Sequence, residues 1–412
     1  MAGRAVDAQL AADPSAEPLP TAAGRTASPS CARPDASRLS VCLYTPSVDP
    51  SGMGAHMVDL AAQYLPGADV SFMCPPSPGG RRLLDQAAAL GATAVPLPHP
   101  RDPSFAGVIV RFLREHPADV FHIHVGTGEE NFDGARAARR AGIPAIVQTL
   151  HLPWVVTRSA KRRRFFAGVQ RVDHFIAVSE AQRATYERIG VPAERFSTVP
   201  NGIGARGAGL GRRAARRTLG LDADQPVVMT IGRLTAMKGQ RHLIDSVPAL
   251  AGRFPGLVVL IVGEGHLRGQ LEARIAKLGV ARWVRLLGHR PDARMLLDAA
   301  DVFVLPSLYE GMPLVALEAM EAGVPVVATR VIGTEEIVAD EQTGLLVPPH
   351  DPAALAQALA AMLADRSLRT RYGDAGRHRY RQHFTSERMA QQTAAVYRRV
   401  LQQVATPVTS AG

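Results

Sequence analysis

Two carboxylates, Glu310 and Glu318, stand with seven residues between them in the stretch 300–327, ADVFVLPSLYEGMPLVALEAMEAGVPVV. Val302, Phe303, Val304 and Leu305 form a short apolar run of strand type. Residues 307–312 read as a turn. Pro313 suits the first turn of a helix, where its missing N–H costs nothing. Gly323 and Pro325 then stop that helix, and a second strand follows from Val324. Glu310 is placed before the helix and Glu318 near its beginning. In open α/β sheets ligands bind at the carboxyl ends of strands, and helix N-termini offer free N–H groups to anions. A ligand at this loop would present a phosphate to the amides and hydroxyls to the carboxylates, as a sugar nucleotide does.

A second charged pair lies upstream. Ile231, Gly232, Arg233 and Leu234 follow an apolar strand, and Lys238 comes five residues after Arg233. Arginine offers phosphate a planar fork and lysine a point charge. Together they can neutralise a departing diphosphate without a metal ion, and charge stabilisation of this kind is often the largest catalytic term. Lys238 stands out because the chain has only three lysines, Lys161, Lys238 and Lys277.

The elements that must position these groups follow an alternating pattern. From Leu39 onward strand-like and helix-like segments alternate, which is the pattern of parallel α/β sheets. Strands are expected at 39–44, 120–124, 145–150 and 175–178. A second series is expected at 227–231, 257–262, 284–287, 302–305 and 324–328. Residues 51–54 read as a turn, and 56–65 as a helix with Met57, Leu60, Ala61 and Tyr64 on one face. Residues 202–217 hold five glycines and several arginines and read as a linker. At 412 residues two domains are expected. Two doubly wound domains joined in this way would face each other across a cleft, a common setting for small-molecule sites.

In this frame Arg233, Lys238, Glu310 and Glu318 resemble the donor-site signature of family 4 retaining glycosyltransferases, enzymes of the GT-B fold. Other segments are similar in order along the chain. SGMGAHMVDL at 51–60 resembles the family's glycine-rich first loop, and DVFHIH at 119–124 its second-strand motif. Thr149, Leu150 and His151 resemble the segment that carries a sugar-facing histidine. Val178-Ser179, Val199-Pro200-Asn201-Gly202, Gly263-Glu264-Gly265 and Leu287-Gly288-His289 match further motifs. Two departures stand out: Met53 separates Gly52 from Gly54, and residues 332–336, IGTEE, carry one glycine where the family has two.

The resemblance implies an α/β protein with two Rossmann-like domains. It places an acceptor-binding domain at 38–203, a linker at 204–217 and a nucleotide-sugar domain at 218–383. A last helix within 384–412 would pack back on the first domain, and residues 1–37 read as a disordered tail. The implied activity is transfer of a hexose-type sugar from a nucleotide diphosphate sugar, of UDP or GDP type, to a hydroxyl acceptor with retention. Arg233 and Lys238 would bind the diphosphate, Glu318 the ribose, and Glu310 would face the transferred sugar. The backbone of Gly311, Met312, Pro313 and Leu314 would hold donor oxygens. Gly52 and Gly54 would let backbone approach the diphosphate. His151 would contact the sugar near the reacting carbon, with His124 as a further acceptor or sugar contact.

No cofactor and no metal are expected. No histidine and carboxylate set has ligand spacing, and the D-x-D at Asp222 and Asp224 precedes a strand instead of ending one. The acceptor is a glycan, a lipid-linked sugar or a small metabolite. Arg158, Lys161, Arg162, Arg163 and Arg164 beside Phe165 and Phe166 form a candidate basic surface for anionic lipid.

The net charge of +10, from 47 basic and 37 acidic residues, permits phosphate, lipid or nucleic-acid partners without choosing among them. Few aromatics, 5% of residues, argue against a nucleic-acid platform. Cys31, Cys42 and Cys74 form no C-x-x-C pair, so a reducing interior is expected. With no apolar run near 18 residues, a cytoplasmic protein is expected, at most peripheral on the inner face of the membrane. The alternatives are a sugar-nucleotide epimerase of the same fold and a non-catalytic scaffold that binds sugar nucleotides.

Overall fold

The structure is a computed structural model that describes residues 38–128, 132–156 and 158–405. The tail expected at 1–37, with Cys31, and the last residues 406–412 lie outside the described residues. The chain divides into two units, one of residues 1–200 and 386–412, the other Asn201–Thr385.

The first unit is built on a seven-stranded sheet of β1 (Leu39–Tyr44), β2 (Ala68–Cys74), β3 (Thr93–Pro96), β4 (Val120–Val125), β5 (Ala145–Leu150), β6 (His174–Ala177) and β7 (Phe196–Thr198). Its order is β3-β2-β1-β4-β5-β6-β7, and the paired strands are parallel. Side chains alternate between faces along a strand. Cys42 and Tyr44 therefore enter one apolar cluster, and Val41 and Leu43 the other. Both faces are covered, which explains why β1, β4 and β5 read as near-continuous apolar runs and not as alternating ones.

The second unit holds β8 (Val227–Ile231), β9 (Val258–Val262), β10 (Val284–Gly288), β11 (Val302–Leu305), β12 (Val326–Thr329) and β13 (Gly344–Val347). The order is β10-β9-β8-β11-β12-β13, again parallel. In each sheet the order reverses once, between β1 and β4 and between β8 and β11. Those reversals are the points where α/β sheets open a crevice for ligands.

Two expectations are corrected. The turn expected at 51–54 is already helix: Ser51–Tyr64 is continuous, and the amide of Gly54 donates to the carbonyl of Pro50 at 2.9 Å. Residues 204–217 are not a free linker. They run into the helix Arg212–Thr218, and three of their five arginines are paired: Arg206 with Asp298 at 2.6 Å, Arg212 with Asp301 at 2.7 Å and Arg216 with Asp301 at 2.9 Å. The charge of these three, which looked solvated, is neutralised by carboxylates of the same unit. The D-x-D segment serves that anchoring, since the carbonyls of Asp222 and Ala223 each accept from Arg216 at 2.8 Å.

The last helix, Ser386–Ala405, lies in the first unit. Tyr64 donates from its hydroxyl to the carbonyl of Ala390 at 3.0 Å. Among the described residues no helix is long and apolar enough to cross a membrane.

Candidate functional site

In the second unit the loop leaving β8 carries Arg233 and Lys238, and the loop leaving β11 carries Ser307 and Glu310. Both sit at the reversal of strand order. Lys238 Nζ donates to Glu310 Oε1 at 2.6 Å, and Ser307 Oγ donates to the same oxygen at 2.7 Å. Glu310 is 3% exposed. A carboxylate so deeply withdrawn is tolerated because a cation and a hydroxyl meet it. Ser307 is fully buried and was not singled out by the sequence reading. Its spacing of three residues from Glu310 in a turn was the available signal.

Two glycines hold these loops together. Gly239 has φ +63°, and a Cβ there would lie 1.9 Å from the carbonyl oxygen of Pro306. Only a residue without a side chain lets the end of the β8 loop lie against the end of β11. The amide of Leu308 then donates to the carbonyl of Met237 at 2.7 Å. Gly333, at φ +84°, does the same for the other side, where a Cβ would meet the Gly311 carbonyl at 1.8 Å. The single glycine kept in the IGTEE segment is therefore the one that seats Gly311 and Met312. Asn201 completes the frame, donating from Nδ2 to the Met312 carbonyl at 2.7 Å.

The helix after this loop runs Leu314–Ala322 and ends at Gly323 in left-handed conformation. Pro313 is its cap residue, extended at ψ 117°, and not a first-turn residue. No side chain caps this end. Amides of the first turn of a helix have no intrahelical acceptor, so Leu314 can offer its N–H to a ligand, as can Gly311 and Met312 by position. Pro313 has no N–H, which removes it from the expected set of donors. Glu318 lies mid-helix and partly buried, further along than expected. Arg233 is exposed, and its carbonyl accepts from Gln240 Nε2 at 2.9 Å.

In the first unit the fold gathers histidines that sequence spacing kept apart. His56 comes from the helix after β1, His124 from the end of β4 and His151 from the end of β5. His124 Nδ1 and His151 Nε2 are 3.2 Å apart. His56 and His124 are almost wholly buried, and His151 keeps partial exposure. Burial, and then the neighbouring histidines, hold the pKa of His124 and of His151 well below the ordinary imidazole range. Both rings are therefore neutral at pH 7 and can offer or accept one hydrogen bond at each nitrogen. His56 was passed over in the sequence as a helix residue. Its place four residues beyond Gly52, on the helix leaving β1, was the signal.

His122 belongs to a different set. Its Nδ1 is 2.5 Å from the Tyr397 hydroxyl and its Nε2 2.7 Å from Thr149 Oγ1. This histidine ties the last helix to the sheet. Gly52 and Gly54 are in the first turns of their helix, not in an open loop. A Cβ on Gly52 would meet nothing within 4 Å, whereas one on Gly54 would lie 3.2 Å from Pro50 Cβ.

The basic segment forms the helix Ser159–Val169, but only part of its apolar side is free. Phe165 is fully buried against Trp154 and Phe132, while Phe166 stays partly exposed with the Arg162 guanidinium 5.8 Å from its ring centre. Arg158, Lys161, Arg163 and Arg164 are exposed.

The family model described as glycosyl transferases group 1 matches residues 211–379, and that of the glycosyl transferase 4-like domain matches residues 51–202. The chain is 31% identical over 389 residues to the alpha-maltose-1-phosphate synthase of Mycolicibacterium smegmatis, covering 87% of this chain and 97% of that one. It is 31% identical over 379 residues to the phosphatidyl-myo-inositol mannosyltransferase of Mycobacterium leprae, covering 87% and 96%. The crystal structure of Anabaena HepE with UDP and glucose superposes with a TM-score of 0.77 at 21% identity, over 88% of this chain and all of that one. At that identity the likeness establishes the α/β GT-B fold.

Proposed function

The chain belongs to the glycosyl transferases group 1 family and is a glycosyltransferase, and from that premise we propose that it moves a hexose from a nucleotide diphosphate sugar to a hydroxyl acceptor, with retention and without a metal ion. The observation that carries this reading is the buried Lys238–Glu310 pair at the β8/β11 reversal, with Arg233 on the same loop as Lys238. An arriving diphosphate brings negative charge to a lysine already positioned by Glu310 and Ser307. The cation then turns from carboxylate to phosphate with little reorganisation, and preorganised charge of this kind stabilises a leaving group.

Arg233 supplies the second cation, and the amides of Gly311, Met312 and Leu314 the uncharged donors. Glu318 accepts from the ribose hydroxyls. Glu310, partly released by Lys238, faces hydroxyls of the transferred sugar. His151 is the histidine assigned to the transferred sugar, and His124 orients it through their shared hydrogen bond. Gly52 lies open at the start of its helix and gives backbone access to phosphate. In a front-face path the donor phosphate takes the acceptor proton as the sugar–phosphate bond breaks, so no side-chain base is needed.

HepE was crystallised with UDP, which supports a UDP-type donor here. The mannosyltransferase relative is named for phosphatidyl-myo-inositol, which supports an acceptor of lipid-linked or glycan class. The exposed cations of the helix Ser159–Val169, with Phe166, would meet an anionic membrane surface that carries such an acceptor.

The test is turnover of a panel of UDP-, GDP- and ADP-sugars in EDTA, followed by nucleoside diphosphate release and by the anomeric signal of the product. Release from one donor, with retained configuration and loss in Glu310→Gln, supports the reading. Release that requires added Mg2+ overturns the metal-free mechanism, and an inverted product overturns retention.

A further inference from the structure

The three histidines of the first unit meet from three separate elements: the helix Ser51–Tyr64, the end of β4 and the residue after β5. Each offers a ring nitrogen, and the three nitrogens lie within 4.8 Å of one another. The ring centres of His56 and His151 are 4.8 Å apart, those of His56 and His124 5.3 Å, and those of His124 and His151 5.5 Å. A tetrahedral ion held at about 2.0–2.1 Å by each imidazole places ligand nitrogens roughly 3.3 Å apart and ring centres roughly 5.2 Å apart. The rings already have that mutual spacing, and His124 Nδ1 and His151 Nε2 have the nitrogen spacing at 3.2 Å. Closing the longest nitrogen separation asks for a movement of about 1.5 Å, within the reach of side-chain torsions.

His124 is fully buried, yet its Nε2 has no hydrogen-bond partner. Its Nδ1, the nitrogen that meets His151, is the one an ion between the rings would take. His151, the partly exposed member, gives the cluster an opening and leaves a coordination position for water.

We propose that His56, His124 and His151 form a binding site for a zinc-type transition-metal ion. Three imidazoles without a carboxylate suit Zn2+, Co2+, Ni2+ or Cu2+ and do not suit Mg2+ or Ca2+, which take oxygen ligands. Binding replaces the His124–His151 hydrogen bond by two metal–nitrogen bonds. The ion is not a participant in the sugar transfer. It occupies the nitrogen of His151, and on the assignment of that residue to the transferred sugar it acts as a reversible inhibitor. This consequence rests on the proposed function, whereas the site itself rests on geometry alone.

The experiment titrates the untagged, EDTA-treated protein with Co2+ and reads its visible absorption, then displaces Co2+ with Zn2+. The site predicts about one equivalent with the intense bands of four-coordinate cobalt. In both His56→Gln and His151→Gln the affinity falls on the order of 10–100-fold or more, while their melting curves in EDTA keep a cooperative transition. Bands of octahedral cobalt only, or an unchanged titration in both variants, would overturn the site. Zinc inhibition of donor turnover, relieved by EDTA, is the functional readout. Because the spectrum needs no substrate, loss of the site and loss of the transferase assignment are distinguishable.

Discussion

Lys238 Nζ stands 2.6 Å from Glu310 Oε1, joining the loop after β8 to the loop after β11 where the order of the second sheet reverses. The lysine side chain is 18% exposed and the glutamate 4%. Removing the lysine alone strands a carboxylate out of water, so Lys238→Ala is expected to destabilise the protein by about 3 kcal/mol. Removing both partners costs less than the two single changes added together. A double-mutant cycle over Lys238→Ala and Glu310→Ala checks this by denaturant unfolding. A coupling below about 0.5 kcal/mol means the pair makes no real contribution.

Gly239 is a backbone requirement of the same site. With φ +63° and a Pro306 carbonyl where a Cβ would sit, Gly239→Ala must push the two loops apart. Donor turnover is expected to fall about 100-fold, the loss that a displacement near 1 Å brings. Wild-type kinetics in Gly239→Ala would show that the loops need not touch.

The last helix depends on a histidine that carries no chemistry. Tyr397→Phe removes the hydroxyl 2.5 Å from His122 Nδ1 and leaves a buried nitrogen without that partner. A stability loss of about 1–3 kcal/mol is expected from urea unfolding. An unchanged midpoint would mean that the hydroxyl adds nothing to the docking of Ser386–Ala405.

Acid should weaken the first unit through His174. Burial first, then the Arg399 and Arg195 guanidinium groups, push its pKa down to about 4. The ring therefore stays neutral in the folded state, while the unfolded state takes up a proton below about pH 6.5. The contribution is complete above pH 6.5 and is lost as the pH falls towards 4, by about 3 kcal/mol in all. His174→Gln should flatten this part of the stability profile. A profile of the same slope in the variant would assign the acid sensitivity to other groups.

The sequence made the parallel α/β architecture legible because both faces of each sheet are covered, so strands such as Val302–Leu305 read as unbroken apolar runs. Strands at the edges were harder. β3, TAVP, and β7, FST, are too short and too polar to stand out. The placing of Arg233, Lys238 and Glu310 was legible because each lies just past a strand end, whereas Glu318 sits mid-helix. Their pairing was not, since Lys238 and Glu310 are 72 positions apart. The histidine cluster was hidden for the same reason: the crossovers between β1, β4 and β5 decide who meets whom. Residues 204–217 misled because glycine and arginine suggest a solvated linker, whereas Arg206, Arg212 and Arg216 are held by Asp298 and Asp301.

The central claim is that the β8/β11 reversal binds a nucleoside diphosphate. Thermal unfolding with UDP, GDP and ADP in EDTA, on wild type, Glu318→Ala and Lys238→Ala, tests it most directly. A ligand that binds only the folded state adds about 2.7 kcal/mol at one hundred times its Kd. The account predicts a concentration-dependent rise in Tm with one of the three nucleotides, lost or much reduced in both variants. No rise with any nucleotide, or a rise that both variants keep in full, would contradict it.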